Sequence, residues 1–154
     1  MFDVKPVTTD HATACGPAAL KMLLDYYGHE VPLETLIQEC HLNVTGATMG
    51  DIKRVGTAHG LNMTAFRMSA DDLLKLDRPA IIHWRFIHWV VFCGMNEAGE
   101  PVICNSSNGR YSVPVSYFRQ FFTDYVLTNG TPDDLISEDY FDENAKAPDD
   151  YFDK

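Results

Sequence analysis

The segment from Ala18 to Tyr27 constrains this chain most. Ala18, Leu20, Met22, Leu23, Leu24 and Tyr27 recur at helical spacing and leave little polar face. A helix that is apolar on most sides must be covered on most sides, so it runs through the middle of its domain. Cys15-Gly16-Pro17 opens it, with proline near the first helical position, where the missing N–H costs nothing. Gly28 stops it.

The chain around this helix changes period once. A shorter helix is expected after Pro32, over residues 33–39. Thr48 with Asp51 reads as an acidic variant of the capping box, starting a third helix that ends near His59-Gly60. Residues 61–67 alternate as a strand, and Ser69 caps a short helix through Leu76. Then come three strand-like runs, at 79–84, 88–94 and 101–105, with a hairpin loop at 96–100 between the last two. A short helix over 114–122 and a last strand over 124–128 complete the body. Helices first and strands later predict an α+β domain with an antiparallel sheet.

At 154 residues with 45% apolar and 12% aromatic side chains, the chain is expected to form one domain with a real core. No apolar run is long enough for a membrane-spanning helix or a signal peptide, so a cytoplasmic protein with a natural Met1 start is expected. The net charge of −10 argues against nucleic acid or an anionic membrane surface as partner. Residues 131–154 hold nine acidic and two basic side chains, so most of that excess belongs to the tail. The expected division is a domain at 1–130 and an acidic tail at 131–154. The tail repeats itself in Asp139-Tyr140-Phe141-Asp142 and Asp150-Tyr151-Phe152-Asp153, a composition typical of a solvated extension.

Four cysteines occupy positions 15, 40, 93 and 104, and none forms a C-x-x-C pair. Cys40, Cys93 and Cys104 lie in apolar surroundings and are expected to be inert buried thiols. Cys15 differs, because a helix N-terminus favours thiolate and offers backbone N–H groups to an oxyanion. A thiolate nucleophile needs a base. His83 and His88 both sit among strand residues, and their spacing puts them on opposite sides, so at most one shares a site with Cys15. His88 opens a strand, a natural place for a side chain at a cleft rim. Asn105 ends the neighbouring strand and is placed to orient an imidazole. Cys15, His88 and Asn105 thus form a candidate nucleophile, base and orienter. Trp84, Phe86 and Trp89 are candidates to line a substrate groove, although core packing is the commoner role for such residues. A zinc site at His83 and His88 has little support without a thiolate at ligand spacing, and no metal or cofactor is expected.

The stretch Asp10-His11-Ala12-Thr13-Ala14-Cys15-Gly16-Pro17-Ala18-Ala19-Leu20 through Gly28 resembles the nucleophile segment of the C39 peptidases. Pro79 to Trp84, with His88-Trp89-Val90-Val91-Phe92, is similar to that family's histidine block. Pro101 to Gly109 matches the place of its third-residue block, and Ser116-Tyr117-Phe118 with Phe121-Phe122 the helix that follows. The resemblance covers roughly residues 5–128. It implies a papain-like fold and cleavage of leader peptides after a double glycine during bacteriocin export, with an exporter as partner. Two positions depart from the family pattern. Thr9 stands where the family has the glutamine of its oxyanion hole, which leaves Thr9 and His11 as candidates for that role. Asn105 stands where the family usually has an acid, a role that asparagine fills in papain-like enzymes. The two readings carried forward are a cysteine peptidase and a peptide-binding module with the same fold but impaired catalysis.

Because the tail lacks helical or strand periodicity, deletion of residues 131–154 is expected to leave the domain folded with only a small change in melting temperature. Thermal unfolding of the truncated chain checks this, and loss of the cooperative transition would put the aromatic pairs in the core.

Overall fold

The computed structural model describes residues 1–43, 46–85 and 87–131. A 3-10 turn at Ala12–Ala14 leads into helix α1, Cys15–Tyr26, followed by α2, Leu33–Glu39, and α3, Met49–Ala58. Nine of the residues in α1 are buried, from Cys15 to Leu24 on all but one position, as its sequence requires. The α3 start carries the expected reciprocal cap. The Asp51 N–H donates to Thr48 Oγ1 at 3.0 Å, and the Thr48 N–H donates to Asp51 Oδ2 at 3.4 Å.

Strand β1, Met63–Arg67, and a one-turn helix α4, Ala70–Leu73, come next. Then follow β2, Ala80–Trp84, β3, His88–Met95, β4, Pro101–Asn105, β5, Gly109–Ser112, helix α5, Val115–Phe121, and β6, Phe122–Asn129. The six strands form one sheet in the order β1-β6-β2-β3-β4-β5 with antiparallel pairing. The last strand therefore lies inside the sheet, between the first two.

Side chains separate to the two sheet faces. Ile81, Trp89, Val91, Cys93 and Leu127 join the core under α1, α2 and α3. Ile82, Trp84, Val90, Phe92 and Val126 join a second core with Leu73, Phe118 and Phe122. Both faces of β2 and most of β3 are covered, which is why these strands read as continuous apolar runs rather than alternating ones. The result is the expected α+β papain-like architecture, N-terminal helices against an antiparallel sheet.

Three details differ from the sequence expectation. Strand β5 was not anticipated, because Gly109-Arg110-Tyr111-Ser112 holds one large apolar residue and only its pairing with Val102–Asn105 makes it a strand. The helix after Ser69 is shorter, ending at Leu73. The final strand is longer, running from Phe122 to Asn129. The acidic tail from position 132 onward, including Tyr140-Phe141 and Tyr151-Phe152, lies outside the described residues.

Gly16 sits where α1, the loop before α3 and β3 converge. A Cβ there would stand 2.9 Å from Ala47 Cβ, 3.2 Å from Ile52 Cδ1 and 3.4 Å from Trp89 Cδ1. Gly16→Ala gains helix propensity of about 1 kcal/mol but overpacks this contact, which typically costs about 1–3 kcal/mol. Net destabilisation is expected in urea unfolding, with partial recovery in Gly16→Ala/Ala47→Gly.

Candidate active site

Cys15 is the first residue of α1 and is 2% exposed. Burial pushes its thiol above the usual range, while the backbone N–H groups of Trp89, Gly16 and Cys15 itself act on the sulfur in the opposite direction. The sequence expectation of a favoured thiolate is corrected here: loss of hydration outweighs the helix-end donors. Those same donors mark the sulfur's surroundings as an anion site, since three N–H groups from two elements converge there. One of them belongs to the residue directly after His88.

His88 opens β3 and is partly buried. Its Nε2 lies 2.8 Å from Asn105 Oδ1. The Asn105 amide is held at both ends, with Oδ1 accepting the Ser107 N–H at 2.9 Å and Nδ2 donating to the Tyr111 hydroxyl at 3.2 Å. An amide oxygen only accepts, so His88 Nε2 carries a proton in this contact. In the neutral ring Nδ1 is then the basic nitrogen. Ser107 and Tyr111, which orient Asn105, were not singled out from the sequence; Tyr111 was hidden because β5 carries no apolar pattern.

His83 occupies a different position. The register sets His83 opposite Trp89 and Trp84 opposite His88, so the two histidines belong to opposite faces of the hairpin. His83 Nδ1 lies 2.6 Å from Thr123 Oγ1, whose own hydroxyl proton goes to the His83 carbonyl at 3.3 Å, leaving the ring as donor. Its ring meets Trp89 edge-on at 4.9 Å.

Trp84 and Trp89 are 5% and 1% exposed, so the structure gives them packing roles rather than groove walls. Trp84 stacks on Phe121 and meets Phe118 edge-on. The Trp89 indole N–H donates to the Ala47 carbonyl at 3.0 Å, tying β3 to the loop before α3. Phe86, the third groove candidate, lies outside the described residues. Thr9 runs beside the Asn105 turn, its N–H bonded to the Ser106 carbonyl at 2.9 Å. Its hydroxyl accepts the His11 N–H at 3.2 Å, while the His11 side chain is exposed. An open cleft of about 460 Å³ lies between the Thr9–Ala14 segment and α2, walled by Leu33, Ile37 and Leu42. A larger cleft of about 830 Å³, between the N-terminal segment and the far end of α1, contains neither the cysteine nor the histidine.

The other thiols are buried. Burial above all pushes Cys40 up to about 12. Cys93 and Cys104 face each other across β3 and β4 at 3.4 Å, which holds Cys93 well above the usual thiol range. Among the described residues no cluster of histidine, cysteine and carboxylate suits a metal ion, and no helix is long and apolar enough to cross a membrane.

The sequence profile of the peptidase C39 family matches residues 3–133. This chain belongs to the C39 peptidases. It is 27% identical over 134 residues to the probable microcin-H47 secretion/processing ATP-binding protein MchF of Escherichia coli, a match that takes in 86% of this chain and 19% of that protein. It is 28% identical over 123 residues to the colicin V secretion/processing ATP-binding protein CvaB of Escherichia coli, covering 79% of this chain and 18% of that one. The chain thus spans about a fifth of the length of these two relatives. Among solved structures it is similar to a double glycine motif protease from an AMS/PCAT transporter, crystallised with the leader peptide. That likeness has a TM-score of 0.78 at 30% identity and covers 82% of this C39 chain and 90% of the other.

A pH prediction follows from His83. Burial, with the His88 imidazole as the lesser cause, pushes it down from 6.5 to about 4. The unfolded chain therefore binds a proton that the folded chain refuses between those values, so stability is lost as pH falls through that window. Urea midpoints measured at neutral and mildly acidic pH are expected to fall together less in His83→Gln than in the unsubstituted chain. Equal falls would assign the acid sensitivity to other groups.

Proposed function

We propose that this C39 domain is a cysteine peptidase that cleaves leader peptides after a glycine pair, with Cys15 as nucleophile, His88 as base and Asn105 as its orienter. The observation that carries the reading is the first peptide of β3. Its Trp89 N–H acts on the Cys15 sulfur, and the His88 side chain beside it donates through Nε2 to Asn105. That bond directs the basic Nδ1 away from Asn105.

In this mechanism His88 Nδ1 takes the Cys15 thiol proton as the sulfur attacks the scissile carbonyl. The negative charge passes to the carbonyl oxygen, near the helix-end N–H groups. The C–N bond breaks, and His88 returns the proton to the leaving amine, giving a thioester. Water then gives a proton to Nδ1 as it attacks the thioester, collapse passes that proton to the departing sulfur, and the freed acid releases its other proton to solvent as it becomes the carboxylate. The glycine pair rests on the likeness to the double glycine motif protease. The named roles of MchF and CvaB in secretion and processing support an ATP-driven exporter as partner and the cytoplasm as the place of reaction.

The second reading, a peptide-binding module with impaired catalysis, is favoured by two observations. Thr9, whose short hydroxyl accepts the His11 N–H, stands where a glutamine amide would be expected to donate. Burial also holds Cys15 towards the thiol.

Cleavage of a synthetic peptide containing a glycine pair separates the readings. Cys15→Ala and His88→Ala are expected to abolish turnover, and Asn105→Ala to lower kcat by roughly 10–100-fold with little change in KM. Thr9→Gln is expected to raise kcat, since an oxyanion donor is worth about 10²–10³ in rate. No cleavage by the unsubstituted chain, together with slow alkylation of Cys15, would leave the binding module as the function.

A further inference from the structure

Among the described residues, three that are not glycine have left-handed backbone: His41 at φ 50°, Asp124 at φ 73° and Ile87 at φ 62°. Histidine and aspartate are types that visit this region with some frequency, whereas for a β-branched residue it is a genuine outlier. Ile87 directly precedes His88, which pairs with Trp84 across the β2–β3 hairpin. Left-handed positions in hairpin connections are normally taken by glycine or asparagine. Packing does not explain the isoleucine either. Its side chain is 38% exposed and belongs to neither core. Both the turn and the solvent would be better served by glycine or asparagine.

Strain of this kind persists where something else depends on the residue, and it collects at functional sites. Here the location is specific. Ile87, His88 and Trp89 are consecutive, and the Trp89 N–H acts on the Cys15 sulfur. With successive Cα atoms about 3.8 Å apart, the Ile87 Cα lies within about 7 Å of that nitrogen. Resting on the reading of Cys15 and His88 as a hydrolytic pair, we infer that Ile87 is a specificity contact: the first side chain on the leaving-group side of the scissile bond packs against it, and an apolar one is selected. The leaving-group side follows from the chemistry, because His88 hands its proton to the departing nitrogen and Ile87 adjoins His88 directly.

The test uses two peptides identical through the glycine pair, with leucine or serine immediately after it. The unsubstituted chain is expected to prefer the leucine peptide by about tenfold in kcat/KM, within the range that a few methylenes in an apolar site supply. Ile87→Asn suits the left-handed backbone, so it is expected to melt no lower than the unsubstituted chain while the preference falls to near one. A retained preference, an equal loss on both peptides, or a lower melting temperature would each overturn the inference. If the unsubstituted chain cleaves neither peptide, the hydrolytic reading has failed, and calorimetric titration with the uncut peptides decides on Ile87 alone. Tighter binding of the leucine peptide that disappears in Ile87→Asn supports the contact; equal binding or none refutes it.

Discussion

The contact on which this molecule turns is the close approach of the α1 start to β3. Gly16 has no side chain, so Ala47, Ile52 and Trp89 all come within van der Waals reach of the same backbone. Trp89 then holds the junction in two ways: its indole N–H bonds the Ala47 carbonyl, and its ring packs at the helix. The three elements that meet there are the helix that must be buried, the loop that caps α3 and the strand that carries His88. A nucleophile at that junction is held by packing on several sides, as a reacting group needs if its geometry is to survive substrate binding.

Electrostatics at the same point are a contest. Water is excluded from the Cys15 sulfur, which favours the thiol, and three backbone donors favour the thiolate. Burial wins in the free protein. Cys40 shows what burial does without such donors, since it is pushed up to about 12. Under the proposed mechanism, such a site suits a thiol that gives up its proton to His88 as it reacts more than a thiolate stored in advance. The chain from Tyr111 and Ser107 through Asn105 to His88 Nε2 prepares the imidazole for that role by settling which nitrogen carries hydrogen.

The left-handed turn before His88 belongs to the same design. The histidine at the start of β3 immediately follows an isoleucine in a costly conformation. The strained residue and the proposed base are therefore neighbours in the chain, the one an exposed apolar side chain and the other held by Asn105.

The local patterns were legible along the chain. The all-round apolar helix, the Thr48–Asp51 cap and the continuous apolar strands at Ala80–Trp84 and His88–Met95 depend on neighbours a few residues away, and period and capping chemistry report such neighbours directly. Cys15, His88 and Asn105 could be singled out because each lies at the end of such an element. Partnership across the chain could not be read in this way. That β6 inserts between β1 and β2, that Tyr111 supports Asn105, and that the tryptophans pack inward all depend on contacts between residues far apart in sequence. The pKa direction of Cys15 was decided likewise, because a helix end predicts donors but only the assembled fold decides how much water those donors must replace.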